Sequence, residues 1–174
     1  MDILVSSNLE RLIFHLVGND AVKTKALMAD LGAKGEYHLE AVRPEILDLF
    51  AAGFASEAET GAEIKAVYES DAYVLDPHTA VASAVYRRYR QESGDLKPTV
   101  IASTASPYKF PRVVVEAIRG QELGDDFEAV AELQELSKVA IPAALDGLQE
   151  APVLHQTAVA TDHMQASVEN YLGV

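Results

Sequence analysis

The sequence predicts a helix-rich α/β chain with a partial parallel sheet. Three short apolar, partly β-branched runs, at residues 2–5, 72–76 and 99–102, each precede a helical stripe. Strands followed by helices favour parallel pairing through helical crossovers. The helical stripes outnumber the strands, so the expected sheet is thin and is either completed by chain outside this sequence, the reading preferred here, or covered on both faces by these helices.

Along the chain, "DILV" at residues 2–5 reads as a short buried strand. "SSN" then offers N-cap chemistry, and Leu9, Leu12, Ile13, Leu16 and Val17 form a helical stripe that Gly18 stops. Residues 23–31 form a second helix closed by "GAKGEY", and residues 45–50 a short third one. Ser56, with Glu59 three residues on, has capping-box spacing and opens a helix reaching about Ser70. Asp76-Pro77 ends the second strand, and Pro77 suits the first turn of a helix over 78–92 with the stripe Val81, Val85 and Tyr89. "SGDLKP" is a turn-rich loop before the third strand. A helix over 111–118 is broken by "GQELGDD"; residues 127–139 are amphipathic through Val130, Leu133 and Leu136, and residues 162–172 are helical.

The 174 residues are 49% hydrophobic and 24% charged, the profile of one globular chain with enough length for a sizeable core. Asp and Glu number 27 against 14 Lys and Arg, a net charge of −13 that repels nucleic-acid backbones. There is no cysteine, which removes thiolate chemistry, disulfides and Cys-based metal sites and fits a cytoplasmic location. No apolar run approaches the roughly 18 residues needed to span a bilayer. The apolar run directly after Met1 is either an N-terminal strand or the cut edge of a larger chain.

No GxxxxGK[ST], GxGxxG or HExxH motif occurs, and no two of the five histidines stand four residues apart, so no metal site is expected. Asp76-Pro77-His78, at a strand-to-helix turn, is either an ordinary turn starter or a place where His78 faces a ligand. Ser103, Thr104 and Ser106 stand at the C-terminal end of a presumed parallel strand, where open α/β sheets bind ligands. They either cap the next helix or offer neutral hydroxyls to a heterocycle nitrogen. No obvious base stands near to make one of them a nucleophile.

Four ordered segments resemble threonine synthase, a pyridoxal-phosphate (PLP) enzyme of the tryptophan-synthase-like fold type (fold type II). They are "DILVSSNLERLIFHL", "FAAGFASEAET", "YVLDPHTAVASAVYRRYR" and "TVIASTASPYKFPRVVVEAI". The resemblance is to the C-terminal portion of that family, close over residues 2–120 and looser beyond. It implies that residues 1–120 are the C-terminal part of the large domain of a PLP enzyme, with residues 121–174 a helical extension packed on it. It also implies a lyase of threonine biosynthesis that converts O-phospho-L-homoserine and water to L-threonine and phosphate. By the same resemblance, Thr104 meets the pyridine nitrogen and Ser103 adjoins the cofactor. Ser7, Asn8, His78 and Lys109 match positions near the cleft.

The family's Schiff-base lysine and its cofactor-phosphate loop lie in its N-terminal half, and no lysine here has the PLP-lysine context. The expectation is therefore a fragment, with no catalytic residue of its own and no PLP held by this chain alone. Its partners would be the N-terminal half of the enzyme and phosphohomoserine, with self-association through exposed apolar surface. Two other readings stand beside it: a non-catalytic interaction or regulatory protein derived from the same fold, and a related PLP lyase acting on another amino acid.

Overall fold

The computed structural model describes residues 5–174. Eight α-helices occur among them: α1 (Ser7–Leu16), α2 (Ala21–Lys34), α3 (Arg43–Leu49), α4 (Glu57–Asp71), α5 (Pro77–Ser93), α6 (Pro111–Arg119), α7 (Asp126–Ser137) and α8 (Met164–Leu172). Short 3-10 turns precede α3, α6 and α8.

Local chemistry sets the helix ends. Ser6 caps α1 by accepting from the Leu9 amide, and Asp20 caps α2 by accepting from the Val22 and Lys23 amides. At α4 the expected capping box is complete: the Ser56 hydroxyl accepts from the Glu59 amide while the Glu59 carboxylate accepts from the Ser56 amide. Asp76 caps α5 ahead of Pro77, and Gly94 closes that helix in the left-handed conformation at φ 68°.

The main core lies where α4, α5, α6 and α7 meet. Helix α6 is central, packed on α4 and α7, with Val114, Val115 and Ile118 buried. Ile64 of α4, Ala80 of α5 and Leu133 and Leu136 of α7 join them, together with Val74, Leu75 and Tyr108 from the connecting segments. Helices α1 and α2 pack on each other. A buried Glu63 ties α4 to α5. Its carboxylate accepts from the Ser83 hydroxyl at 2.6 Å and pairs with the Arg87 guanidinium at 3.2 Å. Arg112–Asp126 and Arg119–Glu132 ion pairs join α6 to α7, and the Tyr108 hydroxyl donates to the Val139 carbonyl at 2.6 Å.

The predicted α/β class with its partial parallel sheet is wrong for this structure: the described residues contain no strand. The first strand candidate, residues 2–5, falls outside the described residues except for Val5, which lies in a bend. At 72–76 the apolar pattern arises because Val74 and Leu75 insert their side chains into the helical core, and no partner strand pairs with their backbone. At 99–102 even that burial is lacking, since Val100 is 95% exposed. Branched apolar residues report a surface to cover, and a ladder forms only where a second strand is present.

Candidate functional site

The N-terminal turns of α4, α5 and α6 line a cleft of about 640 Å³, whose walls include Phe54, Ser56, Thr60, His78, Phe110 and Val113. The segment before α4 is anchored by Arg88 of α5. Its guanidinium donates to the Phe54 carbonyl, stands 3.4 Å from the Glu59 carboxylate, and lies 5.9 Å from the centre of the Phe54 ring. Glu59 titrates below its ordinary value, chiefly because it accepts from the Ser56 amide, then from the Ser56 hydroxyl. Partial desolvation opposes this, and the Arg88 charge adds to it.

His78 reaches the cleft from the first turn of α5. Its ring tilts against Phe110 with centroids 5.2 Å apart, and its Nδ1 stands 3.4 Å from the Asp76 carboxylate. Asp76 itself is buried. One carboxylate oxygen accepts from the His78 and Thr79 amides, and the other accepts from the Thr79 hydroxyl. The Thr79 and Ser103 hydroxyl oxygens are 3.0 Å apart, a link across 24 residues of sequence. Ser103 and Thr104 are both exposed. Ser106 caps the 3-10 turn Pro107–Lys109 by accepting from the Tyr108 amide, so for this hydroxyl the capping alternative holds. Lys109 is exposed on that turn and lines a different cleft, bounded by Tyr108 and Phe127.

His78, Ser103 and Thr104 are thus gathered at one end of α5. Ser7 and Asn8 are not with them: they lie in the first turn of α1, where Ser7 lines a cleft against α2 and Asn8 accepts from Arg11 at 2.9 Å. The sequence reading missed Thr79 and Arg88. The Asp-Pro-x-Thr spacing was a usable sign for Thr79, because the third helical position faces the N-cap side chain. Nothing local marks Arg88, whose partners lie some thirty residues away. Among the described residues, no group of three or more His, Asp or Glu could hold a metal ion, and no helix is long and apolar enough to cross a membrane.

Residues 79–168, just over half of the chain, match the family model "Threonine synthase, C-terminal". The chain belongs to the threonine synthase family. Threonine synthase from Pseudomonas aeruginosa is 38% identical over 122 residues, which cover 70% of this chain and 26% of that protein. Threonine synthase-like 1 from Macaca fascicularis is 34% identical over 126 residues, covering 72% of this chain and 17% of that protein. The crystal structure of PLP-bound threonine synthase from Brucella melitensis matches with a TM-score of 0.68 and 32% identity, over 99% of this chain and 32% of that one. The chain therefore spans a third or less of the threonine synthase relatives it matches.

Proposed function

We propose that this chain supplies the C-terminal part of a PLP-dependent threonine synthase that converts O-phospho-L-homoserine and water to L-threonine and phosphate. The observation that carries the reading is the match of nearly the whole chain to one third of a PLP-bound threonine synthase. Residues 1–120 then belong to the cofactor-bearing body and residues 121–174 to a helical extension on it. The extent of the surface supports the need for a partner. A compact protein of 18.8 kDa exposes about 8,300 Å², whereas this chain exposes 13,011 Å². The excess, about 4,700 Å², exceeds what one partner contributes to most obligate interfaces.

The donor set fits one edge of PLP. Thr104 offers an exposed neutral hydroxyl that makes no hydrogen bond to another described residue. This suits a ring nitrogen that need not carry a permanent charge. Lys109 lines another cleft, and the family resemblance puts the amine and the phosphate cradle in the rest of the enzyme. When bound, PLP supplies an electron sink for carbanions at the substrate's α and β carbons. With PLP bound, Thr104 would orient the ring edge and Ser103 would adjoin it, next to the cleft that His78 lines with Phe110.

The test is complementation. The chain is mixed with the N-terminal part of a threonine synthase, and PLP absorbance and phosphate release from O-phospho-L-homoserine are followed. Each part alone is expected to be inactive and the mixture active. A mixture that neither takes up PLP nor releases phosphate, beside an active intact threonine synthase control, overturns the proposal.

A further inference from the structure

The buried carboxylate of Asp76 does more than a helix cap requires. Capping α5 uses one oxygen, which accepts from the His78 and Thr79 amides at 2.9 and 3.2 Å. A serine or asparagine would cap about as well. A carboxylate in a side chain with no solvent exposure is costly unless both oxygens are satisfied. Its second oxygen accepts from the Thr79 hydroxyl.

A threonine hydroxyl has one hydrogen, and a carboxylate oxygen is a stronger acceptor than a neutral hydroxyl. The Thr79 proton is therefore committed to Asp76. In the 3.0 Å contact between Thr79 and Ser103 the remaining hydrogen is that of Ser103. Ser103 donates inward and turns lone pairs outward, while the neighbouring Thr104 hydroxyl stays uncommitted.

We propose that Asp76 and Thr79 are positioning residues for the Ser103–Thr104 pair, holding Ser103 as a hydrogen-bond acceptor and leaving Thr104 as the donor of the pair. The turn then presents one hydroxyl that can only accept beside one that is free to donate. A ring nitrogen with a free lone pair is met by Thr104, and a ligand N–H or O–H by Ser103. The relay deepens the PLP reading given above and rests on it for the identity of the ligand.

Two measurements separate the relay from that reading. In the 174-residue chain without ligand, backbone amide order parameters at residues 103–106 are compared for Thr79→Val, Thr79→Ser and the unsubstituted protein. Circular dichroism checks that the helices remain. Thr79→Val is expected to lower them from rigid-backbone values of about 0.85 toward the flexible range near about 0.6 while α6 is unchanged, and Thr79→Ser to leave them as in the unsubstituted chain. Equal order parameters in all three overturn the relay. If Thr79→Val unfolds the helices, Ser103→Ala removes the outer end of the relay instead. It is expected to give the same local fall at residues 104–106, and no fall overturns the relay. In the complex with the N-terminal part of a threonine synthase, titrated with PLP, Thr79→Val should weaken binding about tenfold and Thr79→Ser restore it. Unsubstituted complex that binds no PLP refutes the cofactor reading, while the order parameters still decide the relay. PLP binding that is the same in all three variants overturns the positioning role.

Discussion

Replacing Arg87 tests whether the link between α4 and α5 is electrostatic or only steric. Glu63 is 7% exposed and its carboxylate is shared between the Ser83 hydroxyl at 2.6 Å and the Arg87 guanidinium at 3.2 Å. The Arg87 side chain is 52% exposed, so the pair lies between two limits. A surface pair contributes about 0–1 kcal/mol, and breaking a fully buried pair costs about 3–5 kcal/mol. Ser83 still serves the stranded carboxylate, which places Arg87→Ala at about 2 kcal/mol, a fall in Tm of about 4–8 °C for a chain of this length. Glu63→Gln keeps the shape and an acceptor for Ser83, at about 1 kcal/mol. The assay is urea unfolding of both single variants and the double variant, followed by far-UV circular dichroism. A coupling energy of about 1 kcal/mol is expected from the cycle. Additive singles, with coupling below about 0.3 kcal/mol, would mean that the Glu63–Arg87 pair contributes nothing measurable to the link and would refute the electrostatic account of it.

Leu133, fully buried among α6 and α7 residues, should cost about 2–5 kcal/mol when changed to Ala, read as a lower urea midpoint. Glu59 has its folded-state pKa held below the ordinary 4.5, so its contribution to stability is present above that value and lost as pH falls through the lowered folded value. Urea midpoints measured from about pH 6 down to about pH 3 should decline less in Glu59→Gln than in the unsubstituted chain. A Cβ added at Gly53 would stand 2.7 Å from a Val85 methyl carbon, so Gly53→Ala should lose about 1–3 kcal/mol. Adding Val85→Ala should recover part of that loss in the same unfolding assay, because it removes the colliding atom.

The helices were legible because their signals are local. Ser56 with Glu59, Asp76 with Pro77, and the stripes of α6 and α7 each lie within one or two turns of sequence, and each appears where the pattern put it. The sheet failed because a strand is defined by its partner, and residues 72–76 and 99–102 have none among the described residues. The apolar run at Val74 and Leu75 was read as a strand, whereas its side chains are buried in the helical core with no pairing. At the candidate site, His78 and the Ser103–Thr104 pair stood out by their place after apolar runs. Their association depends on a hydroxyl contact across 24 residues, which no local pattern encodes. Ser7 and Asn8 were grouped with the others by the family resemblance alone; in this structure they stand in the first turn of α1, where Ser7 faces α2.

Why the exposed hydroxyl turn can hold a defined geometry without a sheet beneath it follows from its anchors. Upstream, Asp76 is fixed on both sides, with Val74 and Leu75 buried before it and Thr79 and Ala80 buried after it. A hydrogen bond from Ser103 to Thr79 therefore ends on a rigid element, the condition for precise placement of a functional group. Downstream, Tyr108 is 3% exposed and its hydroxyl is bonded to the Val139 carbonyl beyond α7. The four residues between Ser103 and Tyr108 bridge these two points, with Ser106 capping the turn that joins them. Loosening either anchor alters the angle at which Thr104 leaves the turn, and only the Thr79 anchor also sets the polarity of its neighbour. The segment following α7 thus bears on the hydroxyl pair through Tyr108, although none of its residues lines the cleft beside His78.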